Sequence, residues 1–263
     1  MFEFLFDYPL ITGSAIIVVL CIYALVGLLV VRRRVLPRLN IDGADSEFTG
    51  AMLQSVMVFY GLAVALIAVT VFETYSDTTK VVTGEATALN AIYRDVTSYP
   101  EPIRSEMQQE LREYTKYVIE QAWPLQQQGK IPAGGFERVT RFQATLTGFE
   151  PTTEGQKILH AETFRAFNHL IEARRLRLDA VGTKLPTVMW VVILVGAFIG
   201  LSASFFFKVV DARLHVMEVM LLSVFIGLII LMIMTLDRPF RGNLGISADP
   251  YQLVYDQNMK PNP

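Results

Sequence analysis

This chain is poor in cysteine and histidine and has little excess of either charge. The single cysteine, Cys21, excludes a disulfide or a multi-cysteine metal site within one chain. Its three histidines, His160, His169 and His215, fall at no ligand spacing. No Gly-rich phosphate loop, His/Glu metal helix or G-x-S-x-G elbow occurs, and Ser, Asp and His nowhere suggest a triad. No enzyme class therefore has a motif here, and no catalytic residue, metal ligand or cofactor is expected. The formal net charge of −2 provides no basic field for nucleic acid.

What is abundant is hydrophobic length. The chain is 52% hydrophobic, and its apolar residues gather in four uncharged runs, 9–31, 48–72, 185–207 and 219–236. A bilayer core about 30 Å thick needs roughly 20 apolar residues per helix. The expected fold is therefore all-α: an integral membrane protein with four transmembrane helices and a helical extramembrane domain inserted between spans two and three. The division is 1–72 for spans one and two with their basic connecting loop, 73–184 for the helical block, 185–236 for spans three and four, and 237–263 for a C-terminal tail.

The first run reads as a retained signal anchor. Residues 1–10 carry Glu3 and Asp7 and no basic residue, whereas Arg32, Arg33, Arg34 and Arg38 follow the run. Basic loops mark the cytoplasmic side, which puts the N-terminus and the block 73–184 outside. Lys208 and Arg213 agree with this orientation, while Arg174, Arg175, Arg177 and Lys184 oppose it.

Past the second run, Val82, Leu89, Ile92, Val96 and Tyr99 recur at helical intervals with Glu85 filling one step. Span two then continues as a rod of roughly 75 Å at 1.5 Å per residue, which Pro100 ends. A second stripe follows, with Ile103, Met107, Leu111, Tyr114, Val118, Ala122 and Leu125. Trp123-Pro124 and residues 126–135 read as a helix end and an exposed loop. A short third helix carries Phe136, Val139, Leu146 and Phe149. A fourth starts after Pro151 and carries Phe164, Phe167, Ile171, Leu178 and Val181. The block holds 14 Lys/Arg against 15 Asp/Glu, the balance of a salt-bridged, solvated surface.

Four groups of residues are candidates for chemistry. Gly196, Gly200 and Ser204 on span three repeat every fourth position, the small-residue pattern that lets helix backbones approach. Gly50, Gln54, Gly61, Ala65 and Ala68 form a stripe on span two, with Thr49, Ser55, Tyr60 and Thr70 as its other polar members. Packing within one subunit and a pore wall would both produce such stripes. Glu73 and Asp77, one turn apart at the end of span two, read as an acidic ring around an oligomer axis or as interfacial acids that meet water or an arginine. His215 and Glu218 open the fourth run as boundary residues. Asp237, Arg238, Pro239 and Phe240 read as a clamp that docks the tail, with Phe240 and Tyr251 resting on the membrane boundary or the helical block; a ligand site is the other reading.

Leu236-Asp237-Arg238-Pro239-Phe240-Arg241-Gly242 with Ile246-Ser247 resembles the tail of the bacterial bestrophin-like domain family. Phe72-Glu73-Thr74-Tyr75-Ser76 is similar to that family too, as are Glu85 with Leu89, Tyr93 and Arg94, and Trp123-Pro124. So are Arg174, Arg175 and Arg177 ahead of Leu185, Pro186 and Trp190. One departure is that Glu120 stands apart from Trp123-Pro124 by Gln121 and Ala122. The resemblance implies a homo-oligomeric, passively conducting ion channel in the bacterial inner membrane, with Gln54, Tyr60, Glu73 and Asp77 as lining candidates. Its expected partners are membrane lipid, inorganic ions and further copies of itself. Anions follow from the family name and cations from Glu73 and Asp77. The alternative is a membrane scaffold that presents its helical block to a protein partner.

Overall fold

The computed structural model describes residues 9–38, 43–207, 209–242 and 244–260. Glu3, Asp7 and Lys208, used above for orientation, lie outside the described residues, as does the side chain of Thr49. Among the described residues there are helices and no strands: α1 (Pro9–Val30), α2 (Gly43–Val96), α3 (Ile103–Tyr117), α4 (Trp123–Gln126), α5 (Gly135–Gly148), α6 (Glu154–Ala180), α7 (Thr187–Ser204), α8 (Ala212–Leu236) and α9 (Asp249–Val254). Four helices are long and apolar enough to cross a membrane, and they correspond to the four runs. The fourth begins earlier than its apolar run: Asp211 caps α8 by accepting the Arg213 N–H. His215 therefore sits inside the helix and is not at its start.

The contacts divide the chain into two compact units. One comprises residues 1–73 and 184–237, the other 74–183 and 238–263. The tail, set apart above as its own segment, thus folds with the helical block, and α2 contributes to both units.

In the membrane unit, α1 packs most extensively on α8. Small residues make the close approach: a Cβ at Gly13 would overlap Leu231, and one at Gly227 would meet Ile17. Leu20, Ala24 and Leu28 of α1 join Val219, Ile226, Ile230 and Ile233 of α8 in a buried cluster. The Tyr23 hydroxyl and Ser202 Oγ lie 2.7 Å apart and tie α1 to α7. Arg32 donates to the carbonyls of Val209 and Val210 at 3.2 and 3.1 Å, so the first basic loop and the α7–α8 turn share one end of the bundle. Even crossings demand this.

In the helical unit, the stripes read from periodicity are the core. Val82, Leu89, Ile92 and Val96 of α2 meet Met107, Leu111, Tyr114 and Val118, together with Phe142, Leu146, Phe167 and Leu170. The Thr153 side chain and Gln156 form a capping box at the start of α6. Residues 126–135 are not all exposed as expected: Gln126 and Gly135 are both buried, because the chain folds back onto α3 there. His160 sits among Tyr99, Phe149 and Phe164, and its Nδ1 is 3.0 Å from the Tyr99 hydroxyl.

Two outcomes follow. Gly196 leaves no room for a side chain, because an added Cβ would run into the Tyr60 ring, whereas Gly61 has no neighbour within 4 Å. Gly196→Val should cost about 1–3 kcal/mol through overpacking and Gly61→Ala should leave the subunit's stability unchanged, read from thermal unfolding in detergent. Burial holds the His160 pKa below its ordinary value. The stability gained from neutral His160 is therefore complete above pH about 6.5 and is lost as pH falls through the lower folded value. In His160→Gln, the acid limb of the stability–pH curve should be flatter.

Candidate functional site

The small-residue stripe of α7 is a packing surface. Tyr60 and Met57 of α2 lie over Gly196 and Gly200, and the Tyr60 hydroxyl donates to the Ile193 carbonyl at 2.8 Å. Tyr60, expected as a lining residue, is thereby committed to its own subunit: a phenol in an apolar bundle needs an acceptor, and a main-chain carbonyl supplies it. Ser204 is buried, its hydroxyl donating to the Leu201 carbonyl, while His215 Nε2 lies 3.1 Å from the Ser204 carbonyl.

The stripe on α2 behaves differently. Gln54, Gly61 and Ala65, whose stripe was open to packing within the subunit or to a pore wall, are exposed in the single chain. Gly61 and Ala65 border a mostly apolar cavity of ≈ 430 Å³ with Phe225 and Ile229 of α8. Glu73 and Asp77 are exposed as well, and Asp77 pairs with Lys80 at 2.8 Å. At 3.6 residues per turn, Gln54 and Glu73 are about 100° apart around α2. Glu73 and Asp77 instead share a face with Ser55, Phe59, Leu62, Leu66 and Thr70.

In the helical unit, the most heavily buried charges come from α2 and α6. Arg177 binds Glu85 through two bonds, Nε to Oε2 at 2.6 Å and Nη2 to Oε1 at 3.1 Å, with side-chain exposures of 2% and 0%. Tyr114 donates to Glu85 Oε1 at 2.7 Å. The carboxylate thus receives three donors, the arrangement that makes a buried ion pair tolerable. The Arg177 guanidinium lies 5.9 Å from the Trp123 ring centroid and 5.8 Å from that of Tyr251. Burial, followed by the Glu85 charge, pushes the Tyr114 and Tyr251 hydroxyls well above the ordinary phenol range. Both stay protonated at any working pH. Burial alone would lower the Arg177 pKa, but Glu85 more than reverses this and holds it well above the usual value.

The tail completes both units. Asp237 accepts the Leu185 N–H at 2.5 Å and the Trp190 indole N–H at 3.3 Å, satisfying donors at the entrance to α7. Beyond it, Phe240 and Tyr251 flank Trp123 at 5.5 and 5.6 Å, and the Trp123 indole donates to the Ile246 carbonyl at 3.1 Å. Of the two surfaces open to Phe240 and Tyr251 in the sequence, they take the helical block. Pro239 accepts the Ile246 N–H at 2.7 Å and so closes the turn. Arg238 is partly exposed.

Residues 18–251 match the model of the bestrophin-like domain. The chain belongs to the bestrophin-like family. No curated protein sequence matches it. Its fold is shared with a crystal structure of a mutant bacterial bestrophin homologue from Klebsiella pneumoniae, at a TM-score of 0.66 and 10% identity, covering 95% of this chain and 100% of that one. A crystal structure of a membrane protein gives a TM-score of 0.65 at 10% identity, covering 95% of this chain and 99% of the other. In this bestrophin-like chain, helical periodicity marks Tyr114 as a core residue and local polarity marks Gln126 as loop. The exclusively apolar company of Tyr114 hid its hydroxyl's role, and Glu85 was the only signal that a donor was needed nearby.

Removing one partner of the buried pair strands the other charge. Arg177→Met should cost about 3–5 kcal/mol, and the double variant Arg177→Met, Glu85→Met should recover part of that loss. Thermal unfolding of the four-membered cycle measures both.

Proposed function

We propose that this chain is the subunit of a homo-oligomeric, bestrophin-like ion channel that conducts passively, with α2 of each copy facing a common axis. The observation that carries this reading is the poor coverage of α2 by its own chain. Only 11% of its most apolar window is buried, against 39% for α8. On the face with Ser55, Phe59, Leu62, Leu66, Thr70, Glu73 and Asp77, three bulky apolar groups lie between Ser55 and Thr70, with the two acids beyond. Phe59 is 73% exposed and Leu66 62% exposed. Around an axis, the apolar members make a constriction that gates by dewetting, and the acids make a charged mouth. In this reading Gln54 lies on the neighbouring face and lines the path less directly, and the bond of Tyr60 to Ile193 favours a packing role for it.

An acidic mouth concentrates cations, so we assign cation preference to this channel. The bacterial inner membrane is its location, with the N-terminus and the helical block on the outer side by the charge rule applied to Arg32, Arg33, Arg34 and Arg38. The spans contact lipid, and further copies of the chain are the primary partner.

Planar-bilayer recording of the purified oligomer under a salt gradient tests this. The reversal potential should lie toward the cation equilibrium value. Glu73→Gln should shift it toward zero, and Phe59→Ala should raise unitary conductance several-fold. Silence from a verified intact oligomer would sink the channel reading and favour a scaffold that presents its helical block to another protein.

A further inference from the structure

The end of the membrane unit that carries the first basic loop also carries an acid without a counter-charge. Glu218 lies within the first two turns of α8. Its side chain is exposed in the single chain and has no ion-pair or hydrogen-bond partner among the described residues. A carboxylate on a membrane span calls for a positive partner. His215, one turn earlier, is 3% exposed. Its Nε2 lies 3.1 Å from the Ser204 carbonyl, which can only accept, so Nε2 carries the hydrogen. The neutral ring then presents Nδ1 as an acceptor, and that nitrogen is buried without a partner.

Both residues border one groove of ≈ 510 Å³, whose apolar wall includes Leu53 of α2, Val209 of the α7–α8 turn, and Val219 and Leu222 of α8. The Val209 carbonyl accepts Arg32 Nη1 at 3.2 Å, which brings a guanidinium to the rim. Arg33 and Arg34 follow it and are exposed. On α8 beside the groove, Leu214, Met217 and Leu221 are 43%, 54% and 63% exposed, an apolar bed along the span.

The chemistry of this lining selects the occupant. Two acceptors, one of them charged, ask for a cationic donor. A bare metal ion is far smaller than the groove, and no three metal-binding side chains gather among the described residues. A soluble cation would give up hydration against Leu53, Val219 and Leu222 without compensation. An amphiphile loses nothing there. The arginines at the rim add a place for a negative group, so a head that carries both signs fits better than one that carries either alone.

We propose that this groove binds a zwitterionic membrane lipid with a primary ammonium head, of the phosphatidylethanolamine type. The ammonium donates to the Glu218 carboxylate and His215 Nδ1, the phosphate turns toward Arg32, Arg33 and Arg34, and an acyl chain lies along Leu214, Met217 and Leu221. The site does not depend on conduction. Bound lipid stabilises the membrane unit by mass action.

The test uses the full-length protein in detergent, with thermal unfolding followed as lipids are titrated into the micelles. Phosphatidylethanolamine is compared with phosphatidylcholine of the same acyl chains, which keeps the charge but has no ammonium N–H, and with phosphatidylglycerol, which has no ammonium. Phosphatidylethanolamine should raise the unfolding midpoint saturably, at a half-saturating concentration about tenfold below that of phosphatidylcholine, the worth of one charge-assisted hydrogen bond. Glu218→Gln, near-isosteric and exposed, should abolish that preference. His215→Leu should weaken it, and native mass spectrometry of retained lipid gives the same comparison if this variant unfolds early. Equal responses to phosphatidylethanolamine and phosphatidylcholine mean a groove filled otherwise, a side chain of a neighbouring copy included, and overturn the proposal. So does a preference that survives in Glu218→Gln, or a stronger response to phosphatidylglycerol, which marks a site for phosphate on the arginines alone. An equal shift from soluble glycerophosphoethanolamine overturns the lipid assignment. A non-conducting protein that still prefers phosphatidylethanolamine would count against the channel reading alone.

Discussion

The helical unit is organised around one buried ion pair. Glu85 and Arg177 are 92 positions apart in sequence, and neither can be buried without the other. A lone carboxylate or guanidinium in that core would be destabilising by several kcal/mol. Their meeting therefore fixes the register of α2 against α6. Tyr114 brings α3 to the same carboxylate, and Trp123 and Tyr251 close over the guanidinium. Once these groups are paired, the apolar stripes around them have a single way to interlock. A hydrophobic core of Leu, Ile and Val alone tolerates repacking, whereas a bidentate pair with a third donor does not.

The membrane unit works by a different rule. Apolar surface gains nothing by leaving lipid, so close packing and internal hydrogen bonds must hold the helices together. Gly13 and Gly227 let α1 and α8 touch, and Gly196 and Gly200 take Tyr60 and Met57. The hydroxyls of Tyr23, Tyr60 and Ser204 each find a carbonyl or another hydroxyl. The span least covered by its own chain is that of α2, with 11% of its most apolar window buried. In a bilayer, that leaves it for contacts its own chain does not provide.

The candidate site was legible only in pieces. Glu85, Trp123, Arg177, Asp237 and Phe240 all stood out in the sequence through a family resemblance, but nothing in their spacing said that they form two clusters. The small stripes of α2 and α7 looked alike, yet the α7 stripe receives side chains and Gly61 on α2 receives none within 4 Å. The bond of Tyr60 to Ile193 was not legible in the sequence, because its acceptor is a main-chain carbonyl and every residue has one. The loop around Gln126 was read as solvent-exposed from its polarity, although a buried amide beside Arg177 is equally polar.

Hydrophobic run length and helical periodicity determined four spans, an extended second helix and the core face of each helix in the block. These are local properties, set by bilayer thickness and by 3.6 residues per turn. Which face meets which was decided only in three dimensions. The pairing of Glu85 with Arg177, the seat of Asp237 at the start of α7 and the docking of Phe240 and Tyr251 on Trp123 join residues far apart in the chain. Burial changes the cost of a polar group by more than any local propensity does, and burial is a property of the folded whole.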